Sequence, residues 1–139
     1  MGSKNRRPGA VLLAVNGTLM RGLELNGNLV RAGARFVREG RTAPEYRLYS
    51  IGDAHPAMLR VRRRGRGARI ALEIWKLPAA GLAAVLQGEP PGLCVGSVRL
   101  ADGTSVLGVL GEPWLCQRGR DITRHGGWRA YSAAKKKNA

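Results

Sequence analysis

The sequence predicts an α+β domain built on a curled, mostly antiparallel sheet that closes into a small barrel, with two or three short helices. Three observations lead there. Short alternating or continuous apolar runs recur along the chain, which is the pattern of strands. Only two stretches carry helical spacing with start and stop signals. The 139 residues are 44% hydrophobic, enough for one packed core without staples.

In order, residues 1–9 are polar and basic and read as a disordered lead-in. Ala10 to Val15 is a continuous apolar run, as in a strand buried on both faces, and Asn16-Gly17-Thr18 breaks it with turn residues. Leu25, Leu29 and Val30 have helical spacing, with Asn26 as N-cap of a helix over 27–32. Strands follow at 34–39, 46–51 and 58–61, and the Arg/Gly-rich stretch 62–69 suits a hairpin loop. Ile70, Leu72 and Ile74 share one face of the next strand. Pro78 opens a second helix and Gly88 stops it. Residues 95–100 and 105–110, joined through Asp102-Gly103, form the strongest hairpin signal. An element over 121–134 ends the domain, and residues 135–139 read as a basic tail.

The formal net charge is +15, and 19 of the 24 basic residues are Arg. Such a surface favours loose association with polyanions. The densest cluster is Arg60, Arg62, Arg63, Arg64, Arg66 and Arg69. No stacking aromatic is interleaved there, as nucleic-acid modules usually require, so nucleic acid is the disfavoured partner.

Cys94 and Cys116 form no CxxC pair and have no His at metal spacing. They read as two small buried apolar residues of a reduced, cytoplasmic protein, with no metal and no cofactor. No apolar run reaches about 18 residues, so no membrane partner is expected. Residues 10–15 mimic a signal sequence behind Lys4, Arg6 and Arg7, but stop too early and lack a cleavage site. Gly2 is no myristoylation site, because Arg6 stands where Ser or Thr is needed.

One turn has chemical interest. Glycine at Gly17 lets the backbone approach a ligand, and N–H groups beside a helix start bind anions. The strand-Asn16-Gly17-Thr18-Leu19-helix order resembles the first turn of gamma-glutamylcyclotransferase-like proteins, where Tyr is usual at the position of Asn16. Further segments resemble the C-terminal domain of allophanate hydrolase: Gly22 to Asn26, Thr42 to Tyr49, Glu73 to Pro78, Val95 to Gly103 and Asp121 to Tyr131. The Gly126-Gly127-Trp128-Arg129-Ala130-Tyr131 string is the most specific of them. The matches run from about Val11 to Ala134 in the family's order.

The resemblance implies a gamma-glutamylcyclotransferase-like fold and a small anionic ligand, with two candidate chemistries. One is decarboxylation of N-carboxycarbamate, as part of urea/allophanate nitrogen metabolism. A stand-alone domain of this kind implies an amidase as partner protein. The other is a gamma-glutamylcyclotransferase-type lyase reaction, in which one Glu takes and returns a proton. Glu89 falls where that Glu is expected, and the alternative is a solvated loop residue. Gly17, Thr18 and Leu19, with Asn16, would hold a substrate carboxylate. Arg129 beside Tyr131 suits a second carboxylate contact, though the segment would equally pack on the barrel. Leu19 stands where allophanate hydrolase domains often carry His. His125 replaces the more usual Phe and reads as structural or exposed. The reading leans to an enzyme, with a non-catalytic accessory or basic nucleic-acid-binding module as the alternative.

Overall fold

The computed structural model describes residues 9–62 and 65–138. Eight strands and four helices follow one another as β1 (Ala10–Val15), α1 (Asn26–Arg31), β2 (Arg35–Arg41), β3 (Tyr46–Ile51), β4 (His55–Arg60), β5 (Ala71–Pro78), α2 (Ala79–Gln87), β6 (Leu93–Arg99), β7 (Ser105–Gly111), α3 (Pro113–Gln117), β8 (Arg120–Asp121) and α4 (Trp128–Lys137), with a short 3₁₀ turn at Thr123–His125 before α4. The class is the expected one. The strands predicted at 46–51, 70–75, 95–100 and 105–110 all form, with ends shifted by up to three residues. The helix opened at Pro78 forms with Pro78 as its N-cap and Gly88 as its C-cap.

The barrel does not close. Five strands form a sheet in the order β2-β5-β1-β7-β6, and three more form a second sheet, β4-β3-β8. All pairings are antiparallel except β1 with β7. Closure would need the edge strands β2 and β6 to pair along their length. They meet only where their chains leave the sheet, at the single bridge Thr42–Leu100, with Ala43 N–H donating to Arg99 O at 2.9 Å and Ala101 N–H to Arg41 O at 3.0 Å. Past that bridge the chain turns into β3 and β4. Buried Tyr46, Leu48 and Met58 join the main core there instead of a closing strand pair. Tyr46 is fully buried, and its hydroxyl accepts from Arg99 N–H at 2.9 Å, which ties β3 to the end of β6.

Leu13, Val15, Leu29, Leu72, Ile74, Trp75, Leu77, Val85 and Val98 fill the core between sheet and helices. β1 is buried only in its second half, since Leu12 remains 40% exposed. Cys116 is buried with Ala57 and Leu115 in a small second cluster, and burial pushes its thiol up to about 11. Cys94 is half-buried, and both thiols are free. Lys135, Lys136 and Lys137, read as a tail, form the last turn of α4, and Lys135 pairs with Asp53. The basic lead-in lies outside the described residues, apart from Gly9. Among the described residues no helix is long and apolar enough to cross a membrane.

Candidate functional site

The first turn leaves β1 fully enclosed, with every residue from Leu13 to Met20 buried. Four hydrogen bonds hold its shape. Asn16 Nδ2 donates to Val109 O on β7 at 3.0 Å. Met20 N–H donates to Gly17 O at 3.0 Å and Leu25 N–H to Thr18 O at 2.9 Å. Asn26 Nδ2 donates to Leu19 O at 2.8 Å. Asn26, expected as an N-cap, is the first residue of α1 and spends its side chain on the turn instead. Gly17 packs on the Pro56 ring so closely that a Cβ would lie 2.5 Å from Pro56 Cδ, so only glycine fits.

That turn lines a narrow cavity of about 20 Å³ together with Val15, His55, Pro56, Glu89, Leu93 and Val109. The recess admits about one water-sized group. No hydrogen bond among the described residues uses the N–H of Gly17, Thr18 or Leu19. Glu89 reaches the cavity from the loop after α2, where its N–H donates to Leu86 O at 3.2 Å. One of its carboxylate oxygens, Oε1, is buried without a partner. Burial raises the Glu89 carboxyl from 4.5 to about 7. An acid that is half protonated near neutrality, with no ion pair, is suited to give and take a proton.

His55 on β4 joins the same cavity, which the sequence reading did not foresee. Its Nδ1 lies 3.1 Å from Pro56 O, so Nδ1 is the donor in that contact. The signal was weak, because a lone His one residue before Pro56 is an ordinary strand start.

Arg129 and Tyr131 lie elsewhere. Arg129 borders a larger cavity of about 420 Å³, with Met20, Glu39, Arg41, Glu73 and His125 among its walls. Arg129 Nη2 donates to Glu73 Oε2 at 3.1 Å and to Arg21 O at 2.6 Å. Tyr131 is buried, and its hydroxyl donates to Asp53 Oδ1 at 2.5 Å, so it fastens α4 to the turn after β3. His125 stacks edge-on against Tyr131 at 5.2 Å. Asp53 is held well below the usual carboxylate range, first by Lys135, then by Ser50 and Tyr131.

Glu73 is the most enclosed acid of the larger cavity, at 2% exposure. Its Oε1 accepts from Arg21 N–H at 2.9 Å and Trp75 Nε1 at 3.2 Å, and its Oε2 from Arg21 Nε at 3.1 Å as well as from Arg129. Burial pushes this carboxyl up, but those four donors outweigh it and hold it below its ordinary value. Arg21 also lies over the Phe36 ring at 3.7 Å. A carboxylate so fully satisfied has no proton to exchange near neutrality. The two cavities thus flank the first turn, Leu19 lining the smaller and Met20 the larger. Among the described residues no group of three or more His, Cys, Asp or Glu is arranged to hold a metal.

The Arg cluster is exposed at Arg60, Arg62, Arg66 and Arg69, while Arg63 and Arg64 lie outside the described residues. Arg60 pairs with Glu45 at 2.6 Å, and Arg47 with Asp121 at 2.6 Å. Electrophoretic shift assays with DNA and RNA are expected to give weak, sequence-independent binding that falls steeply with salt. Tight, sequence-selective binding at physiological salt would contradict this.

Residues 11–133 match the allophanate hydrolase C-terminal domain family. The urea amidolyase of Lachancea kluyveri is 32% identical over 127 residues, covering 88% of this chain and 7% of that protein. The chain thus spans a small part of the curated relatives it matches. The crystal structure of a uropathogenic E. coli-specific protein superposes with a TM-score of 0.86 at 56% identity, covering 89% of this chain and 96% of that one. The allophanate hydrolase of Kluyveromyces lactis superposes at 0.84 with 31% identity, over 95% of this chain and 22% of that one. An AIG2-like protein from Mus musculus, 21% identical with a TM-score of 0.56 over 77% of this chain and 82% of that one, shares the fold alone. The fold is gamma-glutamylcyclotransferase-like, and the chain belongs to the allophanate hydrolase C-terminal domain family.

Proposed function

We propose that a small carboxylate-bearing amide or carbamate docks at the mouth of the cavity at the first turn, with no more than one of its oxygens in the water-sized recess, and that Glu89 is its proton donor and acceptor. The observation that carries this reading is the meeting of two unsatisfied sets of groups. The N–H groups of Gly17, Thr18 and Leu19 are uncommitted, and the partnerless Glu89 carboxyl lines the same recess. Three N–H donors suit an anion. A carboxyl near pH 7 suits acid/base work on an adjacent amide or carbamate nitrogen. Urea-related chemistry is supported by the family, and gamma-glutamyl cyclisation by the position of Glu89. Both end with a proton delivered to the nitrogen that departs, and cyclisation also needs one taken from the attacking amine.

The test is an amide-resolved NMR titration of the chain with small carboxylate-bearing amides. The expected result is that the resonances of Gly17, Thr18 and Leu19 move first and saturate together. If shifts appear instead around Arg129 and Glu39, the ligand belongs to the larger cavity and this reading is wrong.

A further inference from the structure

The larger cavity has no part in the function proposed above. At about 420 Å³ it has the volume of a small-molecule site, typically about 300–1,000 Å³, which the recess at the first turn lacks. Met20, Leu72 and Trp128 give it apolar walls. Its two acids are already matched. Glu73 accepts four hydrogen bonds, and Glu39 Oε2 accepts from Arg21 Nη2 at 2.7 Å. Its cations are not used up. Arg41, the last residue of β2, forms no ion pair among the described residues. Arg129 on α4 spends only Nη2, which leaves Nε and Nη1 without an acceptor among those residues. With Arg21, three guanidinium groups stand against two carboxylates. The start of α4 lines the same space, and its N-cap, Gly127, has no side chain to cover the first N–H groups.

An exposed arginine is ordinarily solvated, and this chain has many. What singles out Arg41 and Arg129 is that they share one concave volume with an apolar wall. We infer that the larger cavity is a second binding site, which takes the phosphate monoester of a small, partly apolar molecule. A planar carboxylate is filled by one guanidinium fork, whereas a phosphate group offers three strong acceptor oxygens. Those oxygens can use donors from two elements, β2 and α4, while the organic part lies on Met20, Leu72 and Trp128. The inference needs no group of the smaller recess, so it stands or falls separately from the reading above.

Phenyl phosphate, inorganic phosphate and benzoate test it. Each is titrated into the full chain at physiological salt and about pH 7.5, where a phosphate monoester is mostly dianionic. The backbone amides of Arg41 and of residues 126–130 are followed by NMR, with those of Gly17, Thr18 and Leu19 as the comparison. The expected result is saturable shifts that lead at Arg41 and 126–130, with phenyl phosphate binding about tenfold or more tightly than either control. Arg41→Gln should weaken phenyl phosphate by about tenfold. If that variant does not fold, the wild-type ratios decide. Benzoate that binds as tightly as phenyl phosphate overturns the phosphate assignment. Inorganic phosphate that does so shows only an anion on a basic surface, and overturns the site. Shifts that lead at Gly17, Thr18 and Leu19 or at Arg62 and Arg66, or a folded Arg41→Gln variant with unchanged affinity, overturn it as well.

Discussion

Glu73→Ala is expected to destabilise the fold by about 1–3 kcal/mol, the usual range when enclosed donors lose their acceptor, because its two guanidinium partners are themselves nearly half exposed. Two guanidinium groups, on Arg21 and Arg129, lose their shared carboxylate, and the Arg21 N–H and Trp75 Nε1 lose their acceptor. The damage reaches beyond one contact, because these bonds join the segment after the first turn to β5 and α4. Equilibrium denaturation checks this. The native contribution also has a pH sign. The carboxyl is held below its ordinary 4.5, so its stabilisation is fully present above about pH 4.5. It is lost as pH falls through the depressed value. A variant within about 1 kcal/mol of wild type at pH 7 would mean that the network is surface decoration.

Glu89→Gln is expected to lower turnover of gamma-glutamyl amines or of the urea-pathway carbamate by about 10²- to 10⁴-fold, with ligand binding largely kept. The same substitution should raise stability above neutral pH, which separates a functional strain from a structural role. The sign follows from the raised carboxyl, at about 7 in the fold against 4.5 as an ordinary Glu. Between those values the folded state holds a proton that the unfolded chain has released, so wild-type stability falls as pH rises from about 4.5 to 7 and is level beyond. Gln carries no such penalty. Near pH 4 the two proteins should match. At pH 8 the variant should be more stable by about 1–2 kcal/mol, after discounting for solvent screening at the cavity mouth. Equal stability at both pH values, with full activity retained, would make Glu89 a solvated loop residue.

The readable parts of this chain were those with local causes. The hairpin of β6 and β7 follows from alternation around Asp102-Gly103, and α2 from Pro78 and Gly88. The resemblance brought the first turn and Glu89 into one hypothesis, and the fold sets both on one cavity. What stayed hidden depends on distant partners. The strand pattern set Glu73 opposite the apolar face of Leu72 and Ile74, where solvent would be the default. It is buried because Arg21 and Arg129 meet it from 52 and 56 residues away. Arg129 and Tyr131 follow one another closely in sequence, yet Arg129 Nη2 donates to Glu73 and the Tyr131 hydroxyl to Asp53. The short elements α3 and β8 are hidden for a different reason, as five and two residues give no period to read. Barrel closure failed as a prediction because strand count alone does not say whether β2 and β6 meet.

The most direct measurement is the titration of the Glu89 carboxyl carbon by NMR. The account predicts a midpoint near 7, with the amides of Gly17, Thr18 and Leu19 sensing the same transition across the shared cavity. A midpoint near 4.5, with those amides silent, would contradict it.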